Sequence, residues 1–133
     1  MSHDLKLGLM AAVDAYHKGV QIFQQTFEKV HNLGEKIAAL REDDEILMKK
    51  QQAYLSNLTA ISSVSFSELS NISFSELSNI SFSDAVENRK QLDKARTEIQ
   101  RLEEERYKAV EEHEAAERRL DVLRGRVKQM LGI

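Results

Sequence analysis

The sequence predicts an all-α fold, a long antiparallel helical hairpin of coiled-coil type, and three observations predict it. The 133 residues contain no proline, the residue that most strongly breaks a helix interior. Apolar residues recur with alternating steps of three and four in two separate segments, the spacing of a helix-packing seam. Between those segments lies a serine-rich tandem repeat that follows neither spacing. The expected division is therefore a first helix over 1–62, a connector over 63–83 and a second helix over 84–133.

In the first segment, Val13, Tyr16, Val20, Phe23, Phe27 and Val30 alternate strictly. Leu33 then arrives one residue early, which reads as a stammer that locally overwinds a coiled coil. The seam resumes through Ile37, Leu40, Leu47, Tyr54, Leu58 and Ile61, with Asp44 and Gln51 at seam positions. Gly19 and Gly34 each weaken a helix interior by ~1 kcal/mol relative to alanine. The charged run Arg41 to Glu45 is the expected weak point.

The second segment is more regular. Ala85, Asn88, Leu92, Ala95, Ile99, Leu102, Arg106, Ala109, His113, Ala116, Leu120, Leu123, Val127 and Met130 hold the alternation without a miss. Other positions are largely charged. Glu104 with Lys108 and Glu114 with Arg118 have the favourable acid-first i,i+4 order. The basic end formed by Arg118, Arg119, Arg124, Arg126 and Lys128 suits a helix C-terminus electrostatically. The alternative use of that end is contact with phosphates or an anionic membrane.

Two helices of about 50 residues would each run about 75 Å. Folding back near residue 73 sets residue i opposite roughly 146 − i, as antiparallel neighbours require. That register pairs Leu47 with Ile99, Ile61 with Ala85, Phe23 with Leu123, Phe27 with Leu120 and Val30 with Ala116. It brings Arg106 to Asp43 or Asp44.

A two-helix hairpin buries little core, yet the first helix carries apolar residues beyond its seam: Leu5, Leu9, Met10, Ile22, Ile46 and Leu55. Such surface calls for a second copy or a helical partner. The expected interface residues are Tyr16, Val20, Ile22, Phe23, Phe27, Tyr54, Leu120, Leu123 and Val127.

The connector repeats Ser65-Phe66-Ser67-Glu68-Leu69-Ser70-Asn71-Ile72 identically as Ser73 to Ile80 and begins a third copy at Ser81. Eight residues turn a helix through 800°, so the unit cannot extend a heptad seam. One reading is an irregular tip of capped turns, with Ser65/Glu68, Ser73/Glu76 and Ser81/Asp84 as capping boxes. The other is a set of short β-strands that place Phe66, Ile72, Phe74, Ile80 and Phe82 on one face and pair with another chain.

Chemistry is thinly represented. With no cysteine, disulfides and thiolate zinc sites are excluded. Glu28 and His31 have the Glu-x-x-His spacing of carboxylate-bridged metal bundles, and His113 and Glu117 are the ligands the fold-back would bring near them. Glu28 and His31 flank the seam rather than point inward, so a metal site is not the leading expectation. The run His113 to Glu117 lacks the second histidine of a zinc-protease helix. No glycine-rich phosphate loop occurs, and the repeat's serines have no neighbouring histidine to act as base. Neither catalysis nor a cofactor is expected. A formal net charge of -3 does not favour nucleic acid. No apolar run has membrane-span length and no signal peptide is read, so the expected location is cytoplasmic. Membrane contact remains a lesser option.

The helix–repeat–helix layout is similar in outline to prefoldin subunits, whose coiled-coil arms flank β-hairpins that assemble an oligomeric body. Export-gate stalk proteins and phage scaffolding proteins also use helical hairpins. The resemblance is one of layout, not of motif, and it implies a chaperone-like holdase as the alternative function. The leading expectation is a non-catalytic structural or adaptor protein that self-assembles or binds a helical partner. A metal-binding helical bundle is the further alternative.

Overall fold

A computed structural model describes residues 2–62 and 82–133. The fold is all-α, a helical hairpin in topology: α1 spans His3–Ser62 and α2 spans Phe82–Leu131. The octapeptide connector, with its capped turns or strands and with Phe66, Ile72, Phe74 and Ile80, lies outside the described residues. Phe82 is the first residue of α2.

Both helices have recognisable ends. The Ser2 hydroxyl accepts from the Leu5 amide at 3.2 Å, and the Ser2 carbonyl accepts from Lys6 at 3.0 Å. That satisfies an amide that an uncapped first turn leaves unpaired. At the other end Gly132 adopts φ 75°, and the Ile133 amide returns to the Lys128 carbonyl at 3.0 Å. A left-handed residue just past a helix is where glycine costs least.

The chain divides into two compact units. One comprises Met1–Lys36 with Leu102–Ile133, the other Ile37–Arg101. In the first unit Ala12, Leu33, Leu102, Ala109, Ala116, Leu120 and Leu123 are buried. In the second unit Ile37, Ala85, Asn88 and Leu92 are buried, and Leu92 is completely enclosed. Burying a leucine side chain contributes ~1.5–3 kcal/mol.

Every buried residue of α2 falls on the seam read from its sequence. On α1 the seam differs from the expected one by a residue. Gly19 lies against Leu120 and Leu123, Thr26 bonds His113, Ala12 is 7% exposed and Phe27 is 57% exposed. The working positions are thus Ala12, Tyr16, Gly19, Phe23, Thr26, Val30 and Leu33, an unbroken alternation that contains no stammer. Small residues lie inward, and bulky Phe27 is displaced to the flank.

The register is also corrected. The facing pairs Gly19/Leu120 and Thr26/His113 in the first unit, and Gln51/Asn88 in the second, each have numbers that sum to 139. The expected sum was roughly 146, one heptad away. Phe23 and Phe27 accordingly meet His113 rather than Leu123 and Leu120. In the second unit Leu47 meets Asn88, not Ile99. Arg106, expected at the acidic run, lies across Gly34 in the first unit, and within the second unit Asp44 pairs with Arg96 at 3.0 Å. A shift of seven residues keeps every seam position on the seam, so periodicity alone cannot choose between the two alignments.

Candidate interaction surface

In the first unit the contact between α1 and α2 is built around one polar pair. Thr26 Oγ1 donates its single hydrogen to the Phe23 carbonyl at 2.9 Å, the usual back-bond of a helical threonine. The same oxygen stands 2.8 Å from His113 Nδ1. With the hydroxyl hydrogen already used, the ring must donate, so neutral His113 carries its proton on Nδ1. Phe23 and Phe27 bracket the imidazole at centroid distances of 4.6 and 5.9 Å.

Close approach of the helices depends on glycine at one level. A Cβ added at Gly19 would stand 2.9 Å from Leu123 Cδ1, well inside ordinary contact distance. At Gly34 the nearest atom is Arg106 Nε at 3.5 Å. The guanidinium therefore lies over a residue without a side chain, and Arg106 has no ion-pair partner among the described residues.

In the second unit Asn88 is the buried polar residue. Its amide donates to the Leu47 carbonyl and to Gln51 Oε1, both at 2.9 Å. Both amide hydrogens are satisfied, the condition under which a buried polar side chain specifies alignment without a large desolvation penalty. Asp44 is neutralised by Arg96, whose other nitrogen reaches Met48 Sδ at 3.7 Å.

The flanks of the first unit differ. Lys29 on α1 pairs with Glu112 on α2 at 3.4 Å along one edge. The opposite edge carries Phe27, exposed and stacked on His31 with rings 4° from parallel, and Tyr107, 68% exposed. Helix-surface ion pairs include Lys18–Asp14, His31–Glu35, Lys49–Glu45, Arg89–Asp93, Arg101–Glu98 and Arg124–Asp121. Neither Glu104/Lys108 nor Glu114/Arg118 forms. Exposed pairs contribute only ~0–1 kcal/mol, so side-chain entropy and neighbouring charges decide which of them close. The bond from Arg101 holds the Glu98 carboxyl below the usual carboxylate range.

The expected interface residues separate into two groups. Leu120 and Leu123 are buried within the chain, and Tyr16, Val20, Phe23, Tyr54 and Val127 are half-buried. Ile22 and Phe27 are exposed, as are Ile46, Leu55 and Val86 of the second unit. Of the metal candidates, His31 pairs with Glu35 at 3.0 Å and His113 with Thr26, while Glu28 and Glu117 face solvent. Among the described residues no group of three or more His, Cys, Asp or Glu is arranged to hold a metal ion. Among the same residues no helix is long and apolar enough to cross a membrane.

Sequence reasoning passed over Gly19 and Thr26 as interface residues because it favoured the bulkier Val20 and Phe27. The signal was present: choosing the smaller residue at each level removes the stammer. Comparison with protein-family models, curated proteins and solved structures found no match.

Proposed function

We propose that this chain is a non-catalytic structural or adaptor protein that works by coiled-coil association of its helices, with itself or with a helical partner. One observation carries the reading: large apolar side chains remain outside the seam that the chain satisfies internally. Phe27 is 57% exposed, Ile46 54%, Leu55 53% and Val86 55%. Side chains of this size occur singly on any surface, but several of them on seam-forming helices favour association.

Association couples to stability by mass action, so an assembly unfolds at a temperature that rises with protein concentration. The test is thermal unfolding followed by circular dichroism over a hundredfold range of concentration. A midpoint that climbs supports self-association. A fixed midpoint removes it and leaves only a separate helical partner. A prefoldin-like holdase activity would need strands in the connector, which lies outside the described residues.

A further inference from the structure

The first unit carries a second helix-packing stripe that the hairpin covers only in part. On α1, Val13, His17, Val20, Gln24, Phe27 and His31 follow one another in alternating steps of four and three. At 100° per residue they form a face about 110° around the helix from the seam toward α2. No Asp, Glu, Lys or Arg stands on it, although charged residues crowd the rest of α1. It ends at Gly34, under the Arg106 guanidinium.

On the same edge α2 presents a stripe of different character. Tyr107 and Val110 are followed by Glu114, Glu117 and Asp121, and Arg124 closes the series. Tyr107 is 68% exposed, and Glu117 has no ion-pair partner among the described residues. One helix thus offers an uncharged face with imidazole and amide donors, and the other offers an aromatic ring and carboxylate acceptors.

We propose that this edge is a homodimer interface, in which a two-fold axis parallel to the helices lays α1 of one copy on α2 of the second. The inference rests on the self-association reading above and names its surface. Charge selects the arrangement. Placing α2 on α2 would set Glu114 and Glu117 against carboxylates, a like-charge contact that costs affinity. Placing α1 on α2 opposes each carboxylate with an uncharged residue.

Symmetry then fixes the alignment. A two-fold axis along the helices permits no relative slide, so residues at equal height meet across the interface as they do within one chain. Gln24 comes level with Ala115 of the second copy, between its Glu117 and Glu114, and His31 with its Lys108, between Tyr107 and Val110. Tyr107 of the second copy comes near Gly34, where its ring stacks on the unpaired Arg106 guanidinium that covers the glycine. From Val13 to Gly34 the stripe runs about 32 Å at 1.5 Å per residue. Two helices side by side make the face about 20 Å wide. The area is then about 1,300 Å² for both copies together, within the range of specific interfaces.

The intact chain is tested by sedimentation equilibrium, with an expected mass twice the monomer's 15.2 kDa. Tyr107→Ala and Phe27→Lys alter exposed side chains, so helicity should be retained while the mass falls to that of one chain. Because the protein has no cysteine, Gln24→Cys and Glu117→Cys can be mixed as single variants. A disulfide should form between the two variants, and Gln24→Cys alone should not link to itself. A wild-type monomer overturns both this interface and self-association. A dimer that survives Tyr107→Ala and Phe27→Lys, or that links through Gln24→Cys alone, overturns this interface only.

Discussion

His113 Nδ1 donates to Thr26 Oγ1 at 2.8 Å, and the threonine hydroxyl passes its own hydrogen to the Phe23 carbonyl at 2.9 Å. This two-bond chain joins α2 to the backbone of α1 and fixes both the tautomer of the histidine and the alignment of the helices beside it. Thr26→Val keeps the shape and removes the acceptor. It should destabilise the protein by about 1 kcal/mol, the low end for a lost acceptor because His113 is half-buried. Nitrogen NMR of the imidazole should show Nδ1–H in the wild type and a mixture of tautomers in the variant. A wild-type ring protonated on Nε2 alone would refute the assignment.

Asn88 has the corresponding place in the second unit, bonded to Leu47 and Gln51. Asn88→Ala leaves the Gln51 side chain without its partner and should cost ~1–3 kcal/mol. Asn88→Leu is expected to behave differently, because leucine is welcome at the seam of either alignment. Distances between spin labels on Lys50 and Lys90 should form one narrow distribution in the wild type and a broader or doubled one in Asn88→Leu.

The glycines of the two helices should respond unequally to alanine. At Gly125 an added Cβ meets nothing within 4 Å, so Gly125→Ala should stabilise by ~1 kcal/mol through helix propensity. At Gly19 the same atom would come within 2.9 Å of Leu123 Cδ1, in a side chain that is 6% exposed. Gly19→Ala should therefore lose part or all of that gain, and urea unfolding of the two variants measures the difference. Equal stabilisation would show that the helices have room to spare at Gly19.

Leu92 is the one large side chain fully enclosed among the described residues. Leu92→Ala should cost ~2–5 kcal/mol, the transfer and cavity terms together. Urea titration of the second unit's amide resonances would register the loss.

The Glu98 carboxyl is held low by its hydrogen bond from Arg101, with the guanidinium charge adding to it. Its folded pKa is depressed, so the pair's contribution is present above the ordinary glutamate range and is lost as pH falls through the folded value. Arg101→Gln should return Glu98 to the ordinary range in a carboxyl-carbon NMR titration. Because the carboxylate is exposed, the change in global stability should be small.

The residue pattern went far in describing the helices and the packed face of α2. Leu92, Leu102, Ala109, Ala116, Leu120 and Leu123 are buried where the alternation puts them. On α1 the same reasoning picked the larger of two adjacent residues at Val20 and Phe27, because hydrophobicity is the quantity a pattern detects. Space between two backbones favours the smaller residue, which is why Gly19 and Thr26 face α2 and Phe27 does not.

By itself, then, the sequence determined that the chain is helical, that proline would be out of place in either helix, and which stripe of α2 is packed. It could not determine the alignment, because a heptad shift returns apolar residues to apolar positions and changes the burial energy little. That choice was left to short-range contacts that exist only when two particular residues face each other. Thr26 with His113 and Gln51 with Asn88 are satisfied in one alignment and would be separated in the next. Hydrogen bonds depend on distance and direction, whereas hydrophobic burial is non-directional. The polar minority of the seam therefore decided, in three dimensions, what its apolar majority left open.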